Sequence, residues 1–182
     1  MAALLRCLRR LYAAGMPDEA LRAIGLTVGS DVPFCVSGGT SLAEGRGERL
    51  TDLPPLPVCQ IVLCKPDFGI STPELFVLAD GAVLSKRPDI AGLTAALQGG
   101  ELTGVTDRLC NVFEEFLPER YQEVFRIKEI LLAHGALNAA MSGSGPTVYG
   151  IFESAAEAQR AAEVLKKSYQ QTYVAKPVKK LV

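Results

Sequence analysis

The run Met141-Ser142-Gly143-Ser144-Gly145-Pro146-Thr147 places small residues between a short apolar segment and Val148-Tyr149-Gly150-Ile151-Phe152. Glycine takes positive φ and presents no Cβ, so a loop of this composition lets backbone N–H groups approach a phosphate or another loop closely. A tight turn between two strands suits Gly-Ser-Gly-Pro equally well. Other chemistries have little to work with. The chain has one histidine, His134, so imidazole ligation of a metal or a histidine-based nucleophile triad is not indicated. Its place before Gly135 reads as a helix C-terminus beside a glycine cap. The five cysteines, Cys7, Cys35, Cys59, Cys64 and Cys110, are odd in number and lack paired short spacing, which indicates neither a zinc site nor a disulfide framework.

The elements that would position such a loop need a core, and 182 residues suffice for one. Apolar residues make up 48% and charged residues 21%, with 19 basic against 20 acidic, the balance of a soluble globular protein. No basic block is long enough for an electrostatic footprint, so neither nucleic acid nor an anionic membrane is expected as a partner. No apolar run approaches the roughly 20 residues that span a bilayer, and Arg6, Arg9 and Arg10 are spaced through the first segment unlike a signal peptide. A cytoplasmic protein is expected.

Leu4, Leu5, Leu8, Leu11 and Tyr12 share one face of a helix over residues 2–14, closed by Gly15. A second helix is expected from Pro17 through Leu21 and Ile24. In Gly29-Ser30-Asp31-Val32-Pro33 the proline biases Val32 toward an extended form, which holds Asp31 in a loop entering a strand at Phe34-Cys35-Val36. An Asx-type turn is the ordinary reason for an aspartate there. Residues 40–43 and 48–53 read as a strand pair joined by Gly45-Arg46-Gly47. The stretch Leu53-Pro54-Pro55-Leu56-Pro57 marks a boundary, giving domains over 1–53 and 54–182.

Beyond it, residues 58–64 form a continuous apolar run, the pattern of a buried strand. Lys65 reads as its solvated end. Thr72-Pro73 starts a helix, with a plausible N-cap and proline at the first position. Further helices are expected around Leu93 to Leu97, Leu109 to Phe116 and Val124 to Leu131. Ser154 and Glu157 make a capping box for a helix reaching about Tyr169, and a final strand follows over 172–178. Strand, helices, strand, strand, helix, strand is an α+β sandwich, with helices on one face of a mainly antiparallel sheet.

Four ordered motifs, Gly29-Ser30-Asp31-Val32-Pro33-Phe34, Gly38-Gly39-Thr40, Gly45-Arg46-Gly47-Glu48 and Met141 to Thr147, resemble those of the GHMP small-molecule kinases. Within that family the likeness is to the branch acting on a diphosphocytidyl methylerythritol in non-mevalonate isoprenoid biosynthesis. The resemblance covers essentially the whole chain and implies a remnant of the family's N-terminal domain followed by its ferredoxin-like α+β C-terminal domain. It implies a transferase moving the γ-phosphoryl of ATP, with Mg²⁺, to the 2-hydroxyl of a cytidine-diphosphate substrate. Asp31 would be the carboxylate near the attacking O–H. Gly143, Ser144 and Gly145 would lie beside the nucleotide phosphates, binding them or leaving room for a neighbouring loop. Thr72 would hydrogen-bond the substrate and Phe76 would clamp the cytosine, against the plainer reading of a capped helix with a core phenylalanine. Acceptors of the homoserine or mevalonate type, or a non-catalytic α+β binding module, remain as alternatives.

In the family a Gly-Leu-Gly-Gly-Ser-Ser-like loop that cradles the ATP phosphates precedes the helix matched by residues 2–14. The sequence starts with Met1 at that point, so it is expected to be the C-terminal portion of a kinase, weakly active or inactive as it stands. An open sheet edge near Phe34 and Thr40 would favour self-association.

Overall fold

The computed structural model describes residues 1–85 and 87–178. Its backbone divides into two compact units, one formed by residues 1–55 with Val178, the other by residues 56–177.

The first unit begins with α1 (Ala2–Tyr12), α2 (Asp18–Val28) and α3 (Val32–Ser37). The arginine and leucine spacing of α1 does yield an amphipathic helix, yet Leu4, Leu8, Leu11 and Tyr12 all stay exposed. Its last turn is tied to α2 by an ion pair between Arg9 and Asp18. The expected strand at Phe34-Cys35-Val36 is instead α3. Asp31 is its flanking residue, Pro33 sits within its first turn, and the Asp31 carbonyl accepts from Cys35 N at 3.1 Å. Proline in the first helical turn loses no hydrogen bond, because that N–H has no partner within the helix. β1 (Thr40–Glu44) and β2 (Arg49–Leu53) then pair antiparallel, Thr40 opposite Leu53 and Glu44 opposite Arg49. Their connection is closed by Glu48, whose carboxylate accepts from Arg46 N at 2.6 Å. A bond from its own backbone N–H, and then the one from Arg46, hold the Glu48 carboxyl below its ordinary range.

The second unit is built on an antiparallel sheet of order β4-β5-β3-β6. β3 (Gln60–Lys65) lies in the middle, paired with β5 (Val148–Phe152) and β6 (Gln171–Ala175), while β4 (Asn138–Met141) pairs with β5. The strand starts two residues later than the apolar run suggests, since Val58 is 96% exposed. β3 is buried at alternate positions, Val62 and Cys64 facing a core closed by α7 (Glu123–Ala133) and α8 (Ala155–Lys166). Val124, Ile127 and Leu131 recur at helical spacing on α7, and Ala158, Ala161, Ala162 and Leu165 on α8. The alanines allow α8 a close approach to the sheet. Phe152 is fully buried here, worth roughly 1.5–3 kcal/mol relative to exposure.

α8 is capped as its sequence suggests, Ser154 Oγ accepting from Glu157 N at 3.3 Å. It ends at Lys166, short of Tyr169. α4 (Thr72–Asp80), α5 (Ile90–Gly99) and α6 (Leu102–Thr106) fill the interval between β3 and α7. The helix expected across Leu109 to Phe116 is only a 3-10 turn over Val112–Phe116, opened by Asn111. Among the described residues no helix is long and apolar enough to cross a membrane.

Candidate functional site

The Gly-Ser-Gly run is the hairpin connection between β4 and β5. Ser142 N donates to Thr147 O at 2.8 Å and Gly145 N to Ser142 O at 2.9 Å, which closes the loop across its base. Gly143 and Gly145 have φ of 56° and 73°, the left-handed region that other residues enter only with strain. At Gly145 there is also no room, because a Cβ would clash with the Met141 thioether and lie 3.2 Å from Ile70 Cδ1. At Gly143 the space is open, with no heavy atom within 4 Å of where a Cβ would stand. The peptide from Gly145 to Pro146 is cis.

One side chain of α4 reaches this loop. Thr72 Oγ1 lies 2.6 Å from Ser144 Oγ, a hydrogen bond between two hydroxyls 72 residues apart. The cap of α4 is not Thr72 itself: Ser71 Oγ accepts from Glu74 N at 3.4 Å, which frees the threonine hydroxyl for the loop. One turn on, Phe76 is not a core residue. It packs edge-on against Phe113, centroids 5.2 Å apart at 81°, and remains 54% exposed. Glu74, between them, is ion-paired with Arg120.

Asn111 and Glu114 hold the loop from the other side, and nothing in their sequence context points to this role. Asn111 Nδ2 donates to Met141 O at 2.7 Å and Gly143 O at 2.8 Å, while Oδ1 accepts from Phe113 N at 3.0 Å. Glu114 Oε1 accepts from Met141 N at 2.6 Å and the same carboxylate is paired with Lys128. Side chains thus satisfy both outer backbone groups of Met141, at the end of a sheet edge that would otherwise offer them to another strand. Burial, and then the negative charge of Glu114, push the nearby Tyr149 phenol above its ordinary value.

The structure therefore brings Thr72, Phe76, Gly143, Ser144 and Gly145 together in the second unit. Asp31 belongs to the first, exposed ahead of α3 and making no side-chain cap to that helix. The five cysteines are free thiols, with Cys59 and Cys64 buried and both pushed up by desolvation. His134 flanks the end of α7, its Nδ1 donating to Ile130 O at 2.8 Å, since a carbonyl can only accept.

Residues 93–171, which include most of α5 and all of α7, β4, the glycine loop and α8, match the family model described as GHMP kinases C terminal. These residues form a GHMP kinase C-terminal domain. Among curated relatives, 4-diphosphocytidyl-2-C-methyl-D-erythritol kinase of Enterococcus faecalis is 42% identical over 179 residues, covering 98% of this chain and 62% of that relative. The protein of the same name from Clostridium acetobutylicum is 37% identical over 177 residues, covering 97% and 63%. A crystal structure of 4-(cytidine 5'-diphospho)-2C-methyl-D-erythritol kinase superposes with a TM-score of 0.79 at 28% identity, covering 97% of this chain and 62% of that one. The chain thus spans a little under two thirds of the length of the GHMP kinases it matches.

Proposed function

We propose that the protein to which these residues belong transfers the γ-phosphoryl of ATP to the 2-hydroxyl of 4-diphosphocytidyl-2-C-methyl-D-erythritol. The observation that carries the reading is the 2.6 Å bond between Thr72 and Ser144, which joins the helix bearing Phe76 to the glycine loop. One helix face and one loop then present an aromatic ring for a base, a hydroxyl for its polar edge and an open backbone for phosphates. The names of the relatives supply the acceptor.

On this reading the Phe76 ring stacks on cytosine, worth roughly 1–3 kcal/mol, with Thr72 fixing its edge. The open side of Gly143 faces phosphate, where N–H dipoles are favoured by the charge that builds up during transfer. Asp31, assigned by the motif it stands in, accepts the proton of the attacking hydroxyl as the new O–P bond forms and ADP departs. Mg²⁺ would offset the charge of the phosphates, and since a hard cation of this kind relies largely on phosphate oxygens and water, it would not need a cluster of protein ligands, none of which is found among the described residues.

The test is transfer of label from γ-labelled ATP to three separate acceptors, the cytidine-diphosphate substrate, homoserine and mevalonate. Only the first should be labelled, and Asp31→Asn should lower its turnover at least about 100-fold, the usual reach of a general base. Equal labelling of all three, or an Asp31→Asn protein as active as wild type, would contradict the proposal.

A further inference from the structure

The amide of Asn111 is used to its full donor capacity on one short stretch of backbone. Both Nδ2 protons go to carbonyls on either side of Ser142, those of Met141 and Gly143, at 2.7 and 2.8 Å. The orientation of the amide is unambiguous, since two carbonyls require the nitrogen and the Phe113 N–H requires the oxygen. The residue is itself fixed by opening the 3-10 turn at Val112, and Glu114 of that turn holds the preceding Met141 N–H. The first half of the loop is therefore set from outside the hairpin, whereas its second half is set by Thr72 and by its own Gly145 to Ser142 bond.

We propose that Asn111 is a positioning residue for the glycine loop. By clamping the Met141 carbonyl it holds the base of the hairpin, and by clamping the Gly143 carbonyl it turns the Ser144 N–H that follows toward the place where a nucleotide's phosphates would lie. The phosphate half of this inference rests on the proposed kinase reading, and the loop half does not. A hairpin with two left-handed glycines has many conformations of similar energy, and a bidentate clamp from a turn 30 and 32 residues away selects one of them.

Asn111→Asp tests it, because the carboxylate retains the acceptor for Phe113 N and presents only acceptors to the two carbonyls. Should that variant not fold, Asn111→Ser retains one small donor and serves in its place. The control is Asn138→Asp in β4, the strand that leads into the loop. Asn138 likewise donates to a carbonyl, that of Thr106 at 2.7 Å, and accepts from a backbone N–H, that of Ala139 at 2.8 Å, but touches no loop residue. Amide hydrogen exchange, read residue by residue with α8 as internal reference, should speed at least about 10-fold at Ser142 and Gly145 in the Asn111 variant. It should be unchanged there in Asn138→Asp. The dissociation constant for ATP, measured on the same proteins, should rise at least about 10-fold for the Asn111 variant alone.

Unchanged loop exchange in the Asn111 variants, or an equal change in Asn138→Asp, would overturn the positioning role whatever nucleotide does. Failure of the wild-type protein to which these residues belong, taken at its full length, to bind nucleotide would overturn the kinase reading and the phosphate half with it. Faster loop exchange with unaltered ATP binding would overturn the phosphate half alone.

Discussion

Glycine at 145 is required twice over, by a φ of 73° and by the Met141 thioether that fills the space a Cβ would take. Glycine at 143 is required once, by its φ of 56° in open surroundings. Gly145→Ala should therefore cost more than Gly143→Ala, about 2–3 kcal/mol against about 1 kcal/mol, by adding a collision to the left-handed strain. Urea unfolding of both variants measures the difference, and equal midpoints would contradict the packing described for Met141. The two glycines were legible in the sequence as permissive residues, because composition alone marks a loop of this kind. Asn111 was not legible. Its partners are backbone carbonyls 30 and 32 residues away, and a backbone carbonyl carries no sequence signal. Ser71 shows the same limit on a smaller scale, since either Ser71 or Thr72 could have capped α4 and only the fold assigns the cap to one and the loop contact to the other.

At the scale of elements, long amphipathic helices such as α7 and α8 follow from their apolar spacing, and the alternation of β3 is visible once its partners are known. The short run Phe34-Cys35-Val36 shows where such reading stops: three apolar residues after a proline fit a strand or a helical turn equally well. Tertiary placement decides it, with Pro33 and Val36 buried on one side of α3. A similar tertiary contact ties the segment that follows α8 to α7. Tyr169, 7% exposed, donates its hydroxyl to Glu123. Burial, and then that hydrogen bond, raise the phenol above its ordinary value of 10.0. A raised folded-state value means the neutral phenol stabilises the fold below about pH 10, and that contribution is lost as pH rises beyond it. Tyr169→Phe should cost about 1 kcal/mol at neutral pH, one net hydrogen bond, and should remove its share of the alkaline decline. Thermal unfolding at pH 7 and pH 10.5 checks both. A variant whose decline with pH matches that of wild type would show that Tyr169 is not the titrating group.

For the whole molecule, the α+β class was readable from element order, and sheet order followed once β3 took the centre between β5 and β6. What element order does not reveal is that the glycine loop is at once a hairpin connection and the place where α4 and the Asn111 turn converge. The turn reading and the ligand reading of Gly143 to Gly145 are therefore compatible, because a hairpin clamped from two sides is a rigid platform for a ligand. The central claim is that this platform faces nucleotide phosphates while α4 faces the cytidine. It is tested most directly by amide chemical-shift mapping of the isotope-labelled protein, titrated separately with Mg²⁺–ATP and with 4-diphosphocytidyl-2-C-methyl-D-erythritol. The expected result is that ATP moves the Gly143, Ser144 and Gly145 resonances and the cytidine-diphosphate moves those of Thr72 and Phe76. Saturation by ATP with residues 142–145 unmoved would contradict it.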